Sequence, residues 1–237
     1  MKILAIECSA TPCSVAVLED GRIIASSFVN VKLTHSQTLM PMAEALLASA
    51  NLTIGDIEGF AVSFGPGSFT GIRIGISAVK GLAAARNLPC VGVSVLEAMA
   101  QNFRDRKAVI CGCMDARCNQ LYNALFRVEN GKITRLCEDR ALLCEELKTE
   151  IENICAQNED IIIVGDGAEI FYPFVKECKN VSLADIKDRY QNAVGVGLSA
   201  KDKFQNNETL SPSEILPFYL RLPQAERELK LKEEKSL

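Results

Sequence analysis

Apolar residues along this chain recur in two rhythms. KILAIE at 2–7 and SVAVLE at 14–19 are apolar runs of strand length, and the DG pair at 20–21 is a tight-turn signal that delivers RIIASSFV as a third strand. From 37 the rhythm lengthens: Leu39, Met42, Ala43, Leu46 and Leu47 fall at helical spacing, with Pro41 tolerable only near the helix start. GFAVS at 59–63 is again a strand, the glycine-rich segment after it turns the chain, and 71–86 reads as a helix. CVGV follows Pro89 as a strand, and a further helix begins near Leu96. The first half therefore predicts β-β-β-α-β-α-β and one more helix.

The second half starts over in the same order. VICGCMD at 109–115 and LYNALFRV at 121–128 are strands, and a turn leads from them to a third. Helical patterns cover 145–157, the stretch around IFYPFVKEC and Ala193 to Phe204, while IIIVGDG and NVSL read as strands. ILAIE with VLEDGRI answers to ICGCMD with RVENGKI; Glu7 precedes Gly21 by 14 residues where Asp115 precedes Gly131 by 16. Two such lobes in tandem predict an α/β, duplicated ribonuclease-H-like fold, the architecture of actin, sugar kinases and Hsp70. The division falls at 1–103 and 104–220, and 221–237, rich in charges of both signs, reads as a solvated tail.

Composition narrows the chemistry. A chain of 237 residues that is 48% hydrophobic has the material for a well-buried core. Its net charge of −4 offers nucleic acid no global attraction, so any contact with RNA is expected to be local or made by a partner. No apolar run approaches the about 18 residues of a membrane span, and MKILAIECSA reads as a first strand rather than a secretory signal, which predicts a cytoplasmic protein. Ten cysteines without a CxxC pair predict buried thiols rather than disulfides or a zinc site. Cys111 and Cys113 alternate onto one strand face with Cys118 close behind, which leaves a metal site as the competing reading.

GPGSFTGIRIG at 65–75 poses the sharpest question. The phosphate-loop pattern fails because position 70 is Thr and no lysine follows at the required place, and GxGxxG fails at the same Thr70. What remains is strand, glycine turn and helix, with Ser68 or Thr70 available as N-cap. Free backbone N–H groups there suit an anion; equally, the glycines serve positive φ and close packing alone. The helix is apolar on most sides: Gly71, Gly75, Ala78 and Leu82 form one stripe, Ile72, Ile76 and Val79 another. One side faces the sheet, so the other needs a neighbouring helix or another protein. Glu7, Asp115 and Asp166 stand at strand ends, where carboxylates either organise a metal and nucleotide or simply finish a turn.

Together GPGSFTGIRIG, ILAIECS, THSQTLMPM and GVSVLEAMAQ resemble the TsaB (YeaZ) family, bacterial subunits of the machinery that installs threonylcarbamoyladenosine next to the anticodon of certain tRNAs. The likeness is densest over 1–103. It departs at Glu7 and Cys8, where the family usually has an Asp-Thr pair. The resemblance implies a non-catalytic subunit that binds the catalytic paralogue TsaD, with the ATPase TsaE joining, ATP or ADP and metal held on those partners, and tRNA met only through the complex. It implies a homodimer when the chain is alone, and an interface at Leu39, Met40, Met42, Gly71, Gly75, Ala78 and Leu82 shared by both assemblies. Similarity to TsaD places Val95 and Met99 where that enzyme carries its two metal-binding histidines, and the single histidine of this chain, His35, lies elsewhere. The alternative is an independent ATP-dependent enzyme of the actin-like and sugar-kinase class, using Glu7, Asp115 and Asp166 with Ser68 and Thr70.

Overall fold

The computed structural model describes residues 1–221, so the tail expected at 221–237 lies, from 222 on, outside the described residues. Strand β1 (Lys2–Glu7) pairs antiparallel with β2 (Cys13–Glu19), and β2 with β3 (Arg22–Val29). Helix α1 (His35–Ser49), β4 (Gly59–Gly65), α2 (Phe69–Ala84), β5 (Cys90–Ser94) and α3 (Val95–Ala100) follow. β4 lies parallel between β1 and β5, so the first sheet runs β3-β2-β1-β4-β5. Both faces of β1 and β4 are covered, which is why their sequences are continuous apolar runs, whereas edge strand β3 alternates toward solvent.

The second half supplies β6 (Ala108–Asp115), β7 (Gln120–Glu129), β8 (Lys132–Arg135), β9 (Arg140–Leu143), α4 (Cys144–Cys155), β10 (Ile161–Val164), α5 (Ala168–Val175), β11 (Val181–Leu183), α6 (Ile186–Arg189) and α7 (Ala193–Gln205). Its sheet runs β11-β10-β6-β7-β8. β8 takes the far half of β7, and β9, which the sequence pattern does not announce, takes the near half. The two hairpin turns match: Asp20 and Gly21 have φ of 52° and 87°, Asn130 and Gly131 of 53° and 76°. Positive φ at both central residues makes a turn whose twist suits a two-residue hairpin, and glycine accepts it without steric cost.

Each half lends its last helix to the other. Val95, Leu96 and Met99 of α3 bury against Ile110, Ala124 and Phe126 of the second sheet. Ala193, Val196 and Ala200 of α7 bury against Ile3, Leu18, Val91 and Val93 of the first. Helices α1 and α2 cover the opposite face of the first sheet, through Leu39, Leu46, Ile72, Ile76 and Val79 over Leu4, Ile6 and Val62. Full burial of one such aliphatic side chain contributes about 1.5–3 kcal/mol, so these contacts bind the lobes into one core system. After α7 the chain returns to the first lobe, where Leu210 bridges Cys90 and Ile215 is fully buried.

Three residues expected at a partner surface are core residues. Leu39 is 1% exposed and packs with Leu46 and Leu47. Gly71 and Gly75 face their own sheet: a methyl group on Gly71 would sit 2.0 Å from the Cys8 carbonyl oxygen, and one on Gly75 would sit 3.3 Å from Val62 Cγ2. Their small size lets α2 approach β1 and β4.

Candidate functional site

A cleft of about 690 Å³ opens between the lobes. Its walls are the β1–β2 loop (Ser9, Ala10, Thr11), the segment leading into α1 (Leu33, His35), the start of α2 (Ser68, Phe69, Thr70, Arg73), the end of β6 with the loop after it (Asp115, Ala116, Arg117) and Asp166 after β10. Four of the five carboxylate and hydroxyl candidates, Ser68, Thr70, Asp115 and Asp166, thus meet at one opening. Each sits where a strand ends or a helix begins, and the duplicated topology directs those ends to the same side.

The glycine segment is held by backbone contacts. Ser68 N–H donates to the Ser9 carbonyl at 2.7 Å, and the Ser68 hydroxyl caps α2 by accepting from Gly71 N–H at 3.3 Å. Gly67, at φ 151°, lies against that same Ser9 carbonyl with no room for a side chain. The turn therefore closes the β1–β2 hairpin onto α2, which accounts for its glycines without a ligand.

Glu7 lies beneath the cleft rather than in its wall. It is fully buried, and Oε1 accepts from Ser9 N–H at 2.5 Å. Oε2 has no hydrogen-bond partner among the described residues; nor have the Ser9 and Ser63 hydroxyls, which lie beside it outside bonding geometry. Burial raises the Glu7 pKa, and the neighbouring serines only partly offset this. Asp166 is raised for the same first reason, burial, although Gln191 Nε2 donates to its Oδ1 at 2.7 Å. Asp115 is exposed and accepts from Arg117 N–H at 2.7 Å.

A second cluster, which sequence reading missed, adjoins the cleft at the β1–β2 hairpin end, where His35 is part of the cleft lining. Cys8 and Cys13 sulfurs are 3.8 Å apart, and His35, the first residue of α1, donates from Nε2 to the Ala10 carbonyl at 2.7 Å. A hydrogen bond from Cys8 pushes the Cys13 thiol down to about 5 against the opposing effect of burial, with further help from His35 and Thr38. Cys8 moves up correspondingly, through that hydrogen bond and its burial. The His35 pKa is raised, chiefly by the neighbouring Cys13 sulfur, although its Nδ1 has no hydrogen-bond partner among the described residues. The only sequence signal was the pair's placement at facing ends of two predicted strands.

Val95 and Met99 are 0% and 1% exposed and fill the core between α3 and the second sheet. The Cys111 and Cys113 sulfurs lie 3.5 Å apart and are buried, while Cys118 is exposed. Among the described residues no group of three His, Cys, Asp or Glu side chains is placed to hold a metal ion, and no helix is long and apolar enough to cross a membrane.

Beside the cleft, α1 and α2 carry an outward face. Met40 is 43% exposed, Met42, Ala78 and Leu82 are half-buried, and Pro41, Ser77, Ala84 and Ala85 are exposed. Gly81 stands open as well, since a methyl group there would meet nothing within 4 Å. Gly81 thus lies about one and two-thirds helical turns beyond Gly75 and nearly three turns beyond Gly71. The C-terminal segment flanks it: Tyr219 stacks on Phe69 at 4.2 Å and accepts from Arg73 Nε at 2.8 Å, while Arg221 donates to the Ala116 carbonyl at 2.9 Å. This segment ties the start of α2 to the β6–β7 loop, a link that no periodicity announces.

The family profile described as "TsaD: tRNA N6-adenosine threonylcarbamoyltransferase" matches residues 29–229. The tRNA threonylcarbamoyladenosine biosynthesis protein TsaB of Escherichia coli (strain K12) is 32% identical over 223 residues, 93% of this chain and 95% of that protein. The solved structure of YeaZ from Pseudomonas aeruginosa superposes with a TM-score of 0.78 at 27% identity, covering 92% of this chain and 99% of that one. The 2-hydroxyglutaryl-CoA dehydratase component A of Acidaminococcus fermentans, at 12% identity, a TM-score of 0.50 and 86% and 98% coverage, shares the fold alone.

Proposed function

The chain belongs to the TsaB (YeaZ) family of tRNA threonylcarbamoyladenosine biosynthesis proteins, and from that premise we propose that it serves this synthesis as a non-catalytic subunit that binds and activates the catalytic paralogue TsaD. The observation that carries the reading is the state of Val95 and Met99. Where the paralogue is expected to hold a metal with two histidines, this chain has two buried apolar side chains sealed into its core. Valine has no donor atom, and a lone thioether is a soft, weak ligand.

The binding surface is the outward face of α1 and α2, with Met40, Met42, Ala78, Gly81 and Leu82 at its centre. Small side chains beside exposed methionines let a partner helix approach closely and bury adaptable apolar surface. The same face would pair two copies when TsaD is absent. TsaE completes the complex, ATP or ADP and metal reside on the partner subunits, and tRNA is met through the assembly, all in the cytoplasm. Sedimentation velocity of this chain mixed with its TsaD tests the surface: a heterocomplex that replaces the homodimer is expected, and two species sedimenting independently would refute it.

One observation favours a second reading, an independent ATP-dependent enzyme. Asp115, Asp166, Ser68 and Thr70 converge on the cleft as such chemistry would need. Calorimetric titration of the isolated chain with ATP and magnesium separates the two, since the scaffold reading expects no stoichiometric heat.

A further inference from the structure

Cys8 and Cys13 continue the β1–β2 register by one step. Glu7 stands opposite Ser14, so the next facing pair is Cys8 and Cys13, closing the loop Ser9–Pro12. Facing residues in an antiparallel pair have Cα atoms about 4.5 or 5.5 Å apart, inside the roughly 4.4–6.8 Å range that a disulfide spans. The sulfurs already lie 3.8 Å apart. The other close pair, Cys111 and Cys113, has sulfurs at 3.5 Å but sits two residues apart on one strand. Its Cα separation is about 6.4–6.8 Å, at the far limit for a bond.

We propose that Cys8 and Cys13 are a modification site for small peroxides, forming a reversible cross-strand disulfide that staples the hairpin end bordering the cleft. Cys13 sulfur attacks one oxygen of hydrogen peroxide, the O–O bond breaks, and the displaced hydroxide takes up the thiol proton as water, leaving a sulfenic acid. Cys8 sulfur then attacks Cys13 sulfur, the S–S bond forms, the S–O bond breaks, and hydroxide leaves with the Cys8 proton as a second water. The two thiols lose two electrons and two protons, and the peroxide becomes two waters.

The surroundings decide both the order of attack and the size of the oxidant. The Cys13 thiol is lowered by the Cys8 contact, with His35 and Thr38 adding to it, while Cys8 is raised, so the Cys13 thiolate is the favoured nucleophile at the 3.8 Å contact. Cys8 and Cys13 are 1% and 3% exposed, which admits a water-sized peroxide and excludes a glutathione-sized disulfide. A dithiol reductant that reaches the hairpin end when it opens reverses the bond by exchange.

The test is peroxide titration of the reduced full-length chain, followed by unfolding, alkylation and tryptic mapping. Residues 3–22 form one tryptic peptide that carries both cysteines. That peptide is expected to lose both alkylations together and to appear two hydrogens lighter, with dithiothreitol restoring both; oxidised glutathione is expected to leave it unchanged. In Cys8→Ser, which keeps a hydroxyl donor beside Cys13 but no resolving thiol, Cys13 should stop as a sulfenic acid that dimedone traps after unfolding. If peroxide doses that oxidise the exposed Cys118 leave Cys8 and Cys13 fully alkylated, or if Cys13 is overoxidised while Cys8 stays free, the proposal is overturned.

Discussion

At the scale of the residue, three glycines of α2 differ in the room around them. A methyl on Gly71 meets backbone at 2.0 Å, one on Gly75 meets a side-chain methyl at 3.3 Å, and one on Gly81 meets nothing. Replacing a helical glycine by alanine gains about 1 kcal/mol from the unfolded chain and helix propensity, while forced overpacking costs about 1–3 kcal/mol. Denaturant unfolding of the three alanine variants should therefore rank them Gly81→Ala above wild type, Gly75→Ala near it and Gly71→Ala well below. Any other order would misplace the helix face. Glu7 gives a residue-scale test with a pH sign. Burial raises its folded pKa above the unfolded value of about 4.3, so its stability contribution is fully present below that pH and is lost as pH rises through the folded pKa. The melting temperature of Glu7→Gln is expected to gain on wild type from pH 5 to pH 8; parallel curves would mean the carboxylate ionises in the fold without penalty.

At the scale of the element, Gly81→Leu should leave circular dichroism unchanged and abolish both self-association and the TsaD complex, because its bulk projects outward into a partner helix. Gly75→Leu should instead unfold the protein, since it drives into Val62, Ile6 and Cys8. A folded Gly81→Leu chain that still forms both assemblies would place the interface elsewhere. This contrast also marks what the sequence could tell. Central strands such as β1, β4 and β6 were legible because burial on both faces leaves continuous apolar runs, and the Asp-Gly and Asn-Gly turns fixed two hairpins. β9 and α6, four residues each, are too short to show a period. The face of α2 was misassigned because small residues spaced by four look alike whether they admit a partner helix or the helix's own sheet; Gly71 and Gly75 do the second. Ser68, Thr70, Asp115 and Asp166 were legible as strand and helix ends, but their convergence on one cleft follows only from the closure of two lobes. Cys8 and Cys13 become a pair only once the hairpin register is known.

At the scale of the whole molecule, the exchanged helices α3 and α7 and the returning C-terminal segment bind two lobes into one core system, with the cleft between them and the outward face of α1 and α2 beside it. The surface field follows from the composition. With a net charge of −4 the chain alone is expected to bind tRNA no more tightly than roughly 1 μM at physiological salt, as filter binding or fluorescence anisotropy would report; submicromolar affinity without partners would contradict a role confined to the complex. The central claim is that this subunit supports a transfer it does not perform, because Val95 and Met99 leave the position of the paralogue's metal ligands filled with apolar core. Its most direct test is reconstituted threonylcarbamoyl transfer to tRNA, measured with this chain alone, with TsaD and TsaE alone, and with all three. The account predicts no product from this chain alone and a rate at least about tenfold higher for the full set than without it, equivalent to roughly 1.4 kcal/mol of barrier. Product from this chain alone, or an unchanged rate when it is left out, would contradict it.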